Sequence, residues 1–313
     1  METKMKLLIA YDGSSSADTA LGDLARAGLP SDTSATVISV ADVFVPQVEA
    51  LETFEPETAF IGRTSKEIAR RQAQVSQALE EARRSAAKAS EQLRLTFPNW
   101  EVHTEACGHS PAWAIIKKTD EWKPHLVVLG SHNRSALGRL VLGSVSQTVL
   151  TETHCSVRIA RERLAKEPSP LRIVIGVDGS SGSALTVTEV ASRAWPPGTQ
   201  AYLVAVWDRA MSTALHATEE SFQDEQAWVK GLLQTSTEKL QPCDLSVSEM
   251  TQKGDPKEVL VREAERLKAD CIFLGARGLR RIQRFFLGSV STAVAARAPC
   301  SVEIVRPPQT TEQ

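Results

Sequence analysis

The 313-residue chain is short of the residues that announce several kinds of protein. It has five cysteines, an odd number, and no Cys-x-x-Cys pair. Disulfides are therefore not expected, and the cytoplasm is the natural compartment. Cys155, Cys271 and Cys300 lie in or beside apolar runs, where a free cysteine is usually a small core residue. There is no basic excess: the formal net charge is −2. Bulk nucleic-acid binding, which shows as such an excess, is not indicated. No apolar run approaches the ~20 residues of a membrane span. Met1 to Lys6 leads straight into the first apolar run, so no signal peptide is expected.

The usual catalytic signatures are also missing. The six histidines form no His-x-x-x-His pair, and none stands near cysteines at zinc spacing, so no metal site is expected. There is no Gly-x-Ser-x-Gly elbow. Gly138 to Ser144 has the glycine spacing of a P-loop but no lysine after the second glycine. No catalytic residue is assigned.

What the chain has is glycine in a telling place. The apolar run Cys271-Ile272-Phe273-Leu274 leads into Gly275-Ala276-Arg277-Gly278. Nine residues later come Gly288-Ser289 and a helix start, Val290-Ser291. Strand, glycine loop and Gly-Ser helix start suit a phosphate chain. Glycine lets main-chain N–H groups approach an anion, and a helix N-terminus offers unpaired N–H groups and a positive dipole end. Arg277, between the two glycines, is the best of four loop arginines to clamp a phosphate. The same residue types also serve as ordinary turn and N-cap.

The chain repeats itself. Gly143-Ser144-Val145-Ser146 recurs as Gly288-Ser289-Val290-Ser291, Asp12-Gly13-Ser14 as Asp178-Gly179-Ser180, and Cys155-Ser156-Val157 as Cys300-Ser301-Val302. Anchors in one order at similar spacing imply two copies of one domain, here 1–162 and 171–308. The charged, proline-bearing stretch at 163–170 reads as an exposed linker that begins near Arg161. Strands alternate with helices, which implies in each half a parallel five-stranded sheet with helices on both faces. In the second half the pattern predicts helices over about 183–194, 218–240, 256–268 and 289–297. It predicts strands over 172–177, 201–207, 244–250, 271–275 and 301–305. Ligands of such sheets sit beyond the strand C-terminal ends, where Asp178 and Gly275 converge. The first half carries about twenty extra residues, a helical insertion over about 43–75. Thr64-Ser65-Lys66-Glu67 reads as a capping box opening a helix that runs to about residue 95, roughly 45 Å long. It is either a tolerated surface insertion or a lid or docking arm.

These motifs resemble the universal stress protein family over nearly the whole chain, twice. The resemblance implies flavodoxin-like domains of the adenine nucleotide α-hydrolase kind. It implies ATP, or AMP or ADP, with magnesium as an optional companion, held without catalytic apparatus or with at most slow hydrolysis, in a stress-survival role. By the same resemblance Asp178, with Gly179 and Ser180, lies at the adenosine end, and backbone from Val204 to Val206 lines the base. Gly275, Arg277, Gly278, Gly288, Ser289, Val290 and Ser291 hold ribose and phosphates. The corresponding set in the first half is Asp12, Gly13, Ser14, Val40, Gly130, Asn133, Gly143, Ser144, Val145 and Ser146. Family members pair through the last strand. A tandem chain looks like an intramolecular version of that dimer, with a further homodimer open and the protein partner unnamed. Two other readings compete: an ATP-pyrophosphatase or adenylyl-transfer enzyme, and a scaffold without nucleotide.

The first half departs from the family pattern. It reads Gly130-Ser131-His132-Asn133, with asparagine for the second glycine and histidine, mostly neutral at pH 7, for Arg277. Asparagine tolerates a left-handed backbone but crowds the phosphate space. The second half is therefore expected to be the main nucleotide holder. Asn133→Gly with His132→Arg should raise nucleotide occupancy of the first half, read as nucleotide equivalents per chain. Two equal sites in the unaltered protein would contradict the expectation.

Overall fold

The computed structural model describes residues 4–43, 65–131, 142–163, 169–207, 222–278 and 287–308. The first half runs β1 (Met5–Ala10), α1 (Ser15–Leu24), β2 (Thr33–Ala41), α2 (Ser65–Thr96), β3 (Glu101–Gly108), α3 (Pro111–Trp122), β4 (Leu126–Gly130), α4 (Ser144–Glu152) and β5 (Ser156–Ala160). The second half repeats it: β6 (Arg172–Val177), α5 (Ser181–Ala191), β7 (Gln200–Trp207), α6 (Phe222–Leu240), β8 (Ser246–Lys253), α7 (Pro256–Leu267), β9 (Cys271–Gly275), α8 (Ser289–Arg297) and β10 (Ser301–Val305).

Each half is a parallel sheet, and the strand runs Leu7-Leu8-Ile9 and Leu126 to Leu129 are buried, as strands covered on both faces must be. The two sheets are not separate. They join edge to edge as one ten-stranded sheet in the order β3-β2-β1-β4-β5-β10-β9-β6-β7-β8. The joining pair is antiparallel, with Val157, Arg158 and Ile159 opposite Ile304, Glu303 and Val302. Side chains alternate across a strand. Val157, Ile159, Val302 and Ile304 therefore enter a single apolar cluster shared by both halves on one face of the sheet. On the other face the apolar residues form two clusters, one per half. Between those two clusters lie Arg158 and Glu303.

Both are fully buried, and they sit in an alternating chain of charge. Arg158 donates to Asp23 at 2.6 Å and to Glu303 at 3.0 Å. Glu303 also accepts from Arg193, which reaches Glu189 at 3.0 Å, and Arg26 closes the other end on Asp23 at 3.3 Å. Burial works against the Arg158 charge, but Asp23, Cys271 and Glu303 outweigh it and hold the guanidinium firmly protonated. Two outer contacts are reciprocal. Arg161 donates to the carbonyls of Ala295 and Cys300, and Arg306 to those of Leu150 and Cys155.

Several expectations shift. Arg161 is not an exposed linker residue but 6% exposed, drawn in by those carbonyls; residues 164–168 lie outside the described residues. The helix expected over 183–194 is Ser181–Ala191. Ser180 caps it through the Ser183 N–H, and Arg193 leaves it to reach Glu303. The strand expected over 244–250 is Ser246–Lys253, carried on by eight-residue pairing with β7. Of the insertion, 44–64 lies outside the described residues, as does Thr64 of the capping box. From Ser65 the long helix is present and ends at Thr96, and Ala82, Ala86, Ala89, Ser90 and Leu93 are buried on it.

Arg158→Met should leave Glu303 short of a cation in a dry place. Breaking a buried pair from one side typically costs about 3–5 kcal/mol, so the urea midpoint should fall markedly. A midpoint equal to that of the unaltered protein would show that the ion chain adds nothing to stability.

Candidate functional site

In each half the central strand is flanked by neighbours reached in opposite directions: β1 lies between β2 and β4, and β6 between β7 and β9. Such a switch point opens a crevice beyond the strand C-terminal ends. In the first half the crevice is a cavity of about 450 Å³, within the roughly 300–1,000 Å³ of small-molecule sites. Asp12 and Gly130 stand at the ends of β1 and β4, Val40 near the end of β2, and Gly143, Ser144, Val145 and Ser146 on the facing helix start; all line it. Gly13 and Ser14 are not among the lining residues, and Asn133 lies outside the described residues.

Local chemistry explains the arrangement. The Asp12 carboxylate accepts from the Ser14 N–H at 3.0 Å, which folds the loop back, and Ser14 then caps α1 through the Ala17 N–H. Asp178 and Ser180 repeat both bonds. By contrast α4 and α8 begin at Gly143 and Gly288 with no side-chain cap. Their first N–H groups have no intrahelical partner, and the start of α4 lines the cavity. Ser144 and Ser289 are exposed at these helix starts. Ser146 and Ser291 are buried, and each donates its hydroxyl to the carbonyl of the strand-end glycine, Gly130 at 3.2 Å and Gly275 at 2.7 Å. Their hydroxyls thus fix the loop stem. The glycines there have a packing reason as well: a Cβ on Gly275 would stand 2.6 Å from the Gly182 backbone.

The second half brings Asp178, Ser180, Gly275, Arg277, Gly278, Gly288, Ser289 and Ser291 to the equivalent place. Val204 is buried in the strand and Val206 nearly so. The Arg277-Gly278 segment lies directly on the α5 start. Ser180 donates to the Arg277 carbonyl at 3.3 Å, and a Cβ on Gly278 would meet the Asp178 carboxylate at 2.6 Å. The seat exists because of Gly182, whose missing Cβ would lie 2.3 Å from the Arg277 carbonyl. In the first half that position is Ser16.

Motif reading missed Gly182 and Ser16, although Asp-x-x-x-Gly against Asp-x-x-x-Ser was visible in the two repeats. It also missed Tyr11, Ile38 and Ile115 in the first cavity wall. The Tyr11 hydroxyl donates to Asp18 at 2.5 Å; burial first, then Asp18, raises its pKa, so it stays a neutral donor. Pro111, at the start of α3, lines the cavity too. Trp228 was not foreseen either; its ring covers Gly179.

This geometry agrees with the comparisons. The universal stress protein family model matches residues 4–161 and again 171–306. The chain belongs to the universal stress protein family. A universal stress protein of Mycolicibacterium smegmatis is 27% identical over 309 residues, covering 97% of this chain and 98% of that one. One from Mycobacterium tuberculosis is 28% identical over 205 residues, 64% of this chain and 68% of the relative. Among solved structures, the crystal structure of a universal stress protein from Archaeoglobus fulgidus aligns with a TM-score of 0.58 at 18% identity, over 97% of both chains. At that identity it speaks for the fold. In this universal stress protein the tandem arrangement is thus a property of both sequence and sheet.

The Gly182 seat is testable. Gly182→Ser should destabilise the second half by about 1–3 kcal/mol, as overpacking does, and should speed tryptic cleavage after Arg277. Ser16→Gly should be mild. Equal cleavage rates in Gly182→Ser and unaltered protein would remove the role given to this glycine.

Proposed function

We propose that this universal stress protein is a receptor for adenine nucleotides, ATP or its AMP and ADP relatives, holding one in each half in a regulatory or stress-survival role. The observation that carries the reading is the first-half cavity. Its floor is strand-end backbone, its apolar wall is Ile38 and Val40, and an uncapped helix start faces it. A flat base suits the apolar wall, and a phosphate suits the helix start. Asp12 keeps one carboxylate oxygen beyond its bond to Ser14 for a ribose or base donor. The second half supplies the complete glycine spacing and an exposed cation, Arg277. On this reading it is the tighter site.

The nucleotide is held rather than consumed. Positioning comes from backbone N–H groups and glycine, and magnesium would ride on the phosphates. Among the described residues no group of three or more His, Cys, Asp and Glu gathers to bind a metal. No helix among the described residues is long and apolar enough to cross a membrane. All five cysteines are free, and burial pushes Cys155 and Cys300 up to about 12, which suits a reducing cytoplasm.

Calorimetry with ATP should show a tight site in the second half and a weaker one in the first, which is only partly filled at ATP levels that saturate the second. Ser144→Asp and Ser289→Asp each place a negative charge at an exposed helix start, where acidic residues favour the helix itself. Each should therefore spare the fold and weaken one site tenfold or more. Unchanged affinity in both folded variants would sink the site assignment. Steady phosphate release in the enzymatic range of about 1–1,000 per second would overturn the receptor reading.

A further inference from the structure

The contacts at the join between the halves fall into two sets. One is symmetric. Arg161 and Arg306 each take carbonyls of the opposite half, and Ser301 and Ser156 accept the Arg161 and Arg306 N–H groups at 3.0 and 3.1 Å. Any two copies of this domain, like or unlike, could make these contacts equally well. The other set is not symmetric. At its centre Arg158 stands directly opposite Glu303. Two first halves joined in the same register would set Arg158 against its own copy, and two second halves would set Glu303 against Glu303. Like charges directly opposite across strands destabilise, and here both positions are 0% exposed.

Shape repeats the asymmetry. Trp195 lies flat on Gly28, so close that a Cβ there would meet the ring at 2.9 Å, and Gly28 holds a φ of +63°. Ala194 precedes Trp195-Pro196 as Gly28 precedes Leu29-Pro30. In a pair of second halves each Trp195 would therefore press on a methyl group. Arg193 likewise reaches the Ala27 carbonyl at 2.9 Å. Two second halves would bring two Arg193 side chains to that spot, and two first halves would bring none.

We propose that this interface is a hetero-specific lock: the β5 edge accepts only a β10 edge, and the reverse, so that like-with-like pairing is excluded. The partner that fits the β5 edge is a second-half domain of this chain, never a second copy of the first half. Each chain carries both edges, so like-with-like pairing would link separate chains; the lock removes that route, and the tether makes the remaining mixed pair form within one chain.

The tether must be cut for the test, because it favours the mixed pair by effective concentration alone. A protease site placed within 164–168 of the full-length chain is cleaved after folding. The nicked protein is unfolded in guanidinium chloride, diluted and weighed by native mass spectrometry. Mixed pairs should exceed like pairs at least tenfold. Like pairs near their statistical share would overturn the proposal, as would recovery of unpaired halves alone. The triple variant Arg158→Leu, Glu303→Leu, Trp195→Leu should bring like pairs up towards that share. Glu303→Gln, which keeps the shape, should raise second-half pairs alone. Mixed pairs as exclusive as in the unaltered protein, in whichever of these variants folds, would overturn the assignment to these residues.

Discussion

Charge taken out of water has to be answered, and at the centre of this molecule the answer comes from the opposite half. Arg158 and Glu303 occupy strand positions that face a core, where an apolar residue would be ordinary. Once Arg158 is there, Asp23 must sit at the end of α1 and Glu303 on the neighbouring strand; once Glu303 is there, Arg193 must turn back from the end of α5. The positions of two helix ends and the register of the joining strands all follow from this one chain of ions. Swapping such pairs for apolar residues is often neutral for stability, so what the ions supply here is position: they fix which strand residue stands opposite which.

The crevices depend on that frame only indirectly. Their shape comes from the switch in strand order at β1 and β6, whose neighbours are reached in opposite directions, and their detail from a few short bonds. Ser14 and Ser180 close one side by capping a helix. Ser146 and Ser291 hold the strand-end carbonyls from the other. Gly143 and Gly288 leave the facing helices uncapped. All four of these helix starts use a serine for architecture, and the N–H groups at the starts of α4 and α8 are left without a side-chain cap.

Much of this was legible in the sequence because it rests on local pattern. Glycine after an apolar run, repeated twice in one order, placed β9, α8 and β10 to the residue, since strand, turn and N-terminus each have their own residue chemistry. The Asp-Gly-Ser turns were found for the same reason. The join through the last strand of each half followed from the family resemblance, but the ions at its centre were not legible. Arg158 and Glu303 are single charges in apolar strands of the two repeats, and each alone looks like an exposed edge residue. Only the opposite signs at one repeat position hinted that they meet. Arg161 was misread because a charged, proline-bearing stretch looks like a linker until the carbonyls that bury its first residue are known. The seat of Gly182 escaped because it is a contact between segments about a hundred residues apart.

The antiparallel join has one more consequence. Within each half the strands run parallel, and the crevice lies at their C-terminal ends. Because β5 and β10 run in opposite directions, those ends point to opposite edges of the one continuous sheet. The two crevices thus open on opposite sides of the ten-strand row, each at the strand ends of its own half. A single surface that touched both crevices would have to reach across the sheet from one set of strand ends to the other.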